Sequence, residues 1–164
     1  VDTYVEDPAG NVVWYNQREA GLMHMDRDDR GMFKDVILYN GKEVTSPLNQ
    51  EIVSFRGLED GEYVVNVVHY IANGTATLPV KVKVEKLNPS VKVIYYQTLE
   101  LQGTGDEQTA ARFTLKGAEV LDVNNTPKSL VELTRSAGGK DGGGSQPRAP
   151  APMMDAGTGE ALQP

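Results

Sequence analysis

The stretch Leu58 to Ala72, LEDGEYVVNVVHYIA, constrains the fold more than any other part of the chain. A polar turn at Glu59-Asp60-Gly61 leads into a long apolar run in which Tyr63, Val65, Val67, His69 and Ile71 point one way and Val64, Asn66, Val68, Tyr70 and Ala72 the other. Both faces are mostly apolar, as in a strand that is central in a sheet or covered on both sides. Such a strand organises a core and carries no chemistry of its own.

Around it the sequence punctuates itself as strands and turns. Asp2 to Glu6, the turn Asp7-Pro8-Ala9-Gly10 and Asn11 to Tyr15 read as strand, turn, strand. Asn16 to Arg30 loses periodicity and is expected to be a long polar connection. Phe33 to Tyr39 is strand-like and ends in Asn40-Gly41, a strong hairpin signal because both positions tolerate positive φ. Thr45 to Asn49 is expected to be a loop, and Glu51 to Arg56 a strand with Val53 and Phe55 inward. A second Asn-Gly, Asn73-Gly74, is expected to fold the chain back from the organising strand into Ala76 to Lys86. Strands are further expected at Val91 to Leu101, Thr109 to Lys116, Val120 to Val123 and Ser129 to Thr134.

No window sustains helical periodicity, and the connections are too short for parallel crossovers. The expectation is an all-β antiparallel β-sandwich of roughly nine or ten strands over residues 1–136. Its expected core is Tyr4, Val13, Val53, Phe55, Tyr63, Val65, Val67, Val80, Val82, Val93, Tyr95, Phe113 and Leu115. Tyr63, just after the Gly61 turn, is expected to tie its hydroxyl back to the preceding loop. Residues 137–164 hold 7 Gly and 4 Pro among 28, and this Gly/Pro-rich stretch is expected to be a disordered C-terminal tail.

Composition bounds function mainly by exclusion. With no cysteine there is no disulfide, no thiol nucleophile and no thiolate metal site. The net charge of −7 is concentrated in residues 1–62, which carry 13 acidic and 6 basic side chains. No basic stripe exists to bind phosphates, so no nucleic-acid partner is expected, and no apolar run is long enough to span a bilayer. The opening at Val1 directly in strand-like sequence suggests that an upstream segment, such as a signal peptide or a membrane anchor, is missing.

The candidate site is His24 to Gly31, HMDRDDRG. If this run is extended, His24, Asp26 and Asp28 project from one side, and two carboxylates with an imidazole can hold a divalent ion. Asp26, Asp28 and Gly31 also match part of a calcium loop, but Arg30 stands at the fifth ligand position and Ile37 at the twelfth, which excludes a helix–loop–helix site. An irregular Ca2+ site using Asp26, Asp28 or Asp29 with loop carbonyls and Asp2 or Asp7 remains, against a solvated loop in which Arg27 and Arg30 neutralise the aspartates. His69 reads as a core or half-buried residue. Trp14, Tyr15, Tyr39, Tyr63, Tyr70, Tyr95 and Tyr96 are enough aromatics for a small carbohydrate-binding module, although strands use such residues anyway. Asn73-Gly74-Thr75 and Asn124-Asn125-Thr126 are glycosylation sequons. No serine-hydrolase, zinc-protease or phosphate-loop motif is present, and no enzyme is expected; a hydrolase using loop carboxylates is the weaker form of the carbohydrate alternative.

Val1 to Gly10, Trp14-Tyr15, Gly21 to Gly31 and Gly57 to Tyr70 together resemble the bacterial YfaP-like family of uncharacterised extracytoplasmic β-domains, over residues 1–87. Asp60 stands where that family often has Pro before the Gly. The resemblance implies a periplasmic, cell-envelope or secreted β-sandwich with Asp2 and Asp26 around an ion. It supplies no activity. The expected function is a non-enzymatic binding or structural module with a protein partner and a calcium-stabilised acidic loop involving His24, Asp2, Asp26, Asp28 and Asp29.

Overall fold

A computed structural model describes residues 1–29, 36–45, 49–117 and 119–138. The all-β class holds, with twelve strands and one short helix among the described residues. They are β1 (Asp2–Glu6), β2 (Val12–Val13), β3 (Glu19–Ala20), β4 (Met23–Arg27), β5 (Val36–Tyr39), β6 (Lys42–Thr45), β7 (Ile52–Phe55), β8 (Gly61–Val68), β9 (Leu78–Lys86), β10 (Lys92–Leu101), β11 (Glu107–Lys116), β12 (Glu119–Asn124) and α1 (Leu130–Gly138). Strands β12-β11-β8-β1-β2 form one antiparallel sheet; β3-β4-β7, β9-β10 and β5-β6 form three smaller ones.

The organising strand is β8, flanked by β1 and β11, with Tyr63 to Val68 all buried. Its two faces feed two clusters. Tyr63, Val65 and Val67 join Val5, Val13, Phe113 and Leu115 of the same sheet with Met23, Met25, Val82 and Tyr95 from the smaller sheets. The second layer over this face is therefore built of separate pieces, the β3-β4-β7 sheet and the β9-β10 ribbon. On the other face Val64 and Val68 join Tyr4, Val12 and Leu130. At the entry to β8, Gly61 adopts φ +135°, and a Cβ there would lie 2.6 Å from Pro8 Cβ, so only glycine lets the β1–β2 turn pack this closely. The Tyr63 hydroxyl donates to the Glu59 carbonyl (3.0 Å) and accepts from the Glu59 amide (2.8 Å), which is the expected corner. Asn40 and Gly41 both have positive φ and close the β5–β6 hairpin.

Four expectations are corrected. The segment Asn16 to Arg30 is not a featureless connection; it contains β3 and β4, with Met23 and Met25 buried in the core. The second Asn-Gly does not turn β8 back onto a paired strand, because β9 pairs with β10 and residues 69–77 cross between sheets. Val93 is half exposed, since a bulge between Val93 and Tyr95 shifts the alternation on β10. Ser129 to Thr134 is not a strand. Helix α1 starts there, with Leu130 fully buried, Ser129 Oγ accepting from the Glu132 amide, and Glu107 accepting from Ser129 Oγ and from the Leu130 and Val131 amides. The helix runs past the expected boundary at 136, and the tail from 139 onward lies outside the described residues, as do Arg30 to Asp35 and Ser46 to Leu48.

Candidate metal centre

Strands β4 and β7 pair antiparallel and end their ladder at Arg27 opposite Ile52. Asp28 follows Arg27 and Glu51 precedes Ile52, so the register sets these two carboxylates at the same end of the small sheet. Asp2, at the start of β1, comes to them from the large sheet. One carboxylate oxygen from each of Asp2, Asp28 and Glu51 lies within 4.8 Å of the other two, the one such metal-ligating group among the described residues. All three side chains are half-buried.

Three carboxylates brought together out of bulk water repel one another. Burial raises the Glu51 carboxyl from its ordinary value to about 7; the Thr3 amide, donating to Oε2 at 2.6 Å, opposes this, and the charges of Asp2 and Asp28 add to it. Burial also raises the Asp2 carboxyl, with the Val1 ammonium opposing and Asp28 adding. The other Glu51 oxygen, Oε1, is enclosed and finds no hydrogen-bond partner among the described residues. A desolvated carboxylate oxygen without a donor is costly, and either a proton or a cation relieves it.

The donor set is all oxygen and carries formal charge −3 when ionised, which suits a hard cation. Calcium binds oxygens at about 2.3–2.6 Å, so ligands across its shell lie roughly 4.6–5.2 Å apart, and three atoms within 4.8 Å fit around one ion. Backbone carbonyls and water would complete the shell of 6–8 ligands.

Of the residues singled out from the sequence, Asp2 and Asp28 are therefore brought together, and His24, Asp26 and Asp29 are not part of the trio. A bulge between Met25 and Arg27 interrupts the two-residue alternation on which the projection of His24, Asp26 and Asp28 from one side depended. His24, half-buried, instead lies 3.0 Å from Glu19 and 3.7 Å from the exposed Asp26, to which Ser54 Oγ also donates. Asp29 follows Asp28 in irregular chain. Asp7 is occupied in its own turn, accepting from the Ala9 and Asn11 amides and the Asn11 side chain. Glu51 went unnoticed because it stands 23 positions from Asp28 with no local motif.

The serine, histidine and aspartate on the small sheet do not form a nucleophilic relay. Ser54 donates to the Asp26 carboxylate, and His24 lies against the same carboxylate, so the imidazole does not stand between serine and aspartate as a Ser-His-Asp relay requires. His69 is buried, as expected, and its Nδ1 has no partner among the described residues. No helix among the described residues is long and apolar enough to cross a membrane. Compared with protein-family models, with curated proteins and with solved structures, the chain matches none.

Proposed function

We propose that the protein is a non-enzymatic binding or structural module whose Asp2, Asp28 and Glu51 hold a calcium ion where the start of β1 meets the end of the β4–β7 ladder. The observation that carries this reading is the convergence of three carboxylates from distant segments, one of which, Glu51, has an enclosed oxygen with no hydrogen-bond partner among the described residues.

A half-buried trio completed by water suits the weak end of calcium affinity, about 10⁻⁴–10⁻³ M, which is the range of extracellular modules. The YfaP-like motifs of residues 1–87 support a place outside the cytoplasm, in the periplasm, the cell envelope or a secreted assembly. A protein partner is supported by the β5–β6 hairpin, which exposes Leu38, Tyr39 and Val44.

Thermal melts in calcium, magnesium and chelator test the ion. With a dissociation constant near 0.1 mM, calcium at about 10 mM stabilises the native state by about 2.7 kcal/mol. For a chain of this size that raises the melting temperature by roughly 5–10 °C. Asp28→Asn should lose the shift and Asp26→Ala should keep it. Equal melting in all three solutions would refute the ion, and loss of the shift in Asp26→Ala alone would move it to the His24 cluster.

A further inference from the structure

Asp2 and Tyr4 are two residues apart on β1 and so share a face of the large sheet. From Tyr4 a run of rings leads outward: Tyr4 stacks on Trp14 with centroids 5.5 Å apart, Trp14 meets Tyr15 edge-on at 4.8 Å, and Tyr15 meets Tyr70 at 5.8 Å. Tyr70 is at the same end of the sheet as Asp2, because Asp2 pairs with Val68 and the Tyr70 amide donates to the Val68 carbonyl. The inner end of the run is structural: Tyr4 is buried, and Trp14 packs against its cluster. The outer end is not explained by the core. Trp14 and Tyr15 are half-buried and Tyr70 is 45% exposed, although Tyr15 and Tyr70 cover no buried cluster.

We propose that the Trp14, Tyr15 and Tyr70 rings and the adjoining Asp2–Asp28–Glu51 centre form one binding site for a neutral pyranose oligosaccharide. A pyranose ring is amphipathic in the way this surface is. Its C–H face packs on aromatic rings, while its vicinal hydroxyls are donors to carboxylates and ligands to a hard cation. A nucleic acid would be repelled by the carboxylates, and an acyl chain would leave them desolvated and unsatisfied. The ring half of the site stands on the aromatic geometry alone; the polar half rests on the calcium reading, with sugar hydroxyls taking shell positions otherwise filled by water. Tyr39 and Tyr96, exposed elsewhere, and Tyr63 and Tyr95, in the core, take no part.

Trp14 is the chain's single tryptophan, so its fluorescence reports on this site without labelling. The probes are cellohexaose, mannohexaose, maltohexaose and chitohexaose at millimolar concentration, titrated in calcium and in chelator. At least one should shift Trp14 emission saturably in calcium. Tyr70→Ala should weaken that binding about tenfold, the loss of one aromatic contact, while keeping the calcium-dependent melting shift. Tyr70→Trp should retain binding. Chelator or Glu51→Gln should also weaken it. A calcium-dependent melting shift with no emission change for any of the four sugars would overturn the glycan site and leave the ion. Sugar binding that is sensitive to Tyr70→Ala but equal in calcium and chelator would support the ring platform and remove the ion from it. Binding indifferent to Tyr70→Ala would overturn the proposal.

Discussion

The Glu51 carboxyl, which the proposed ion would share with a proton, makes the stability of the fold depend on pH in a direction that can be worked out. Its carboxyl rises from 4.5 to about 7 in the folded protein, chiefly because it is desolvated. The folded state thus holds the proton more tightly than the unfolded chain does. The stability this contributes is complete below about pH 4.5 and is lost as pH climbs through about 7. A difference of about 2.5 pH units (7 − 4.5) at about 1.36 kcal/mol each gives an upper bound near 3.4 kcal/mol. Because Glu51 is only half-buried, solvent screening lowers this to roughly 1–3 kcal/mol. In chelator, the melting temperature of the wild type should therefore fall by about 3–10 °C between pH 5 and pH 8 through this group alone. Glu51→Gln keeps the shape without the charge, so it should be flat over that window by comparison and more stable than wild type at pH 8.

On the proposed reading calcium should reverse the trend, because an ion would bind the ionised carboxylates and displace the proton. The calcium-induced rise in melting temperature should be small at pH 5, large at pH 8, and absent from Glu51→Gln at both. Other groups titrate too, so the diagnostic quantity is the difference between wild type and Glu51→Gln measured by circular dichroism melts in the same buffers. If the two profiles run parallel from pH 5 to 8 in chelator, the desolvation argument fails. If they diverge but calcium restores neither the pH 8 stability nor the wild-type profile, the centre titrates without holding the ion.

Val67→Ala, in the central strand, should cost about 2–3 kcal/mol in urea unfolding; a loss under half of that would make β8 peripheral to stability. Ser129→Ala removes the N-cap of α1 and should cost about 1 kcal/mol. Glu107→Ala leaves the Asn66 amide, the Ser129 hydroxyl and two helix amides without their shared acceptor and should cost about 3 kcal/mol or more. Loss of helical ellipticity should accompany the Glu107 change, and an unchanged spectrum with unchanged stability would show that the helix is held by Leu130 packing alone.

What was legible in the sequence is what local chemistry decides. The two-faced apolar run of β8 announced a central strand, Asn40-Gly41 the β5–β6 hairpin, and Tyr63 after Gly61 the corner at the start of β8, because each depends on residues within a few positions. Helix α1 was also written locally, as Ser129-Leu130-Val131-Glu132, whose first and fourth residues have the identities of a capping box and whose Ser129 caps the Glu132 amide. The apolar content of Leu130 to Leu133 masked it as strand. The cost of ending the helix N-terminus is met by Glu107, 23 positions before Leu130, which no local pattern reports. Bulges were the second source of error. A single extra residue at Asp26 or near Ile94 reverses which side chains face inward, and nothing in the alternation itself marks where that happens.

The candidate centre was half legible for the same reason. Asp2 and Asp28 each stand in acidic stretches, but their meeting depends on β4 pairing with β7 in the register that sets Arg27 opposite Ile52. That register has a further consequence. Asp28 and Glu51 belong to the small sheet, Asp2 to the first strand of the large one, and the Thr3 amide adjacent to Asp2 already donates to Glu51 across the gap. The Thr3 bond joins β1 to the end of the small sheet with one neutral donor, and the charges of Asp2 and Asp28 both act on Glu51 beside it. A cation there would add a directional tie between sheets that otherwise meet through apolar side chains such as Met23, Met25 and Val5, contacts that resist separation but are not directional. The ion would fix the position of the acidic loop relative to β1, and with it the spacing between the carboxylates and the Trp14–Tyr15–Tyr70 rings. Stabilising the fold and shaping the surface beside it are then the same event.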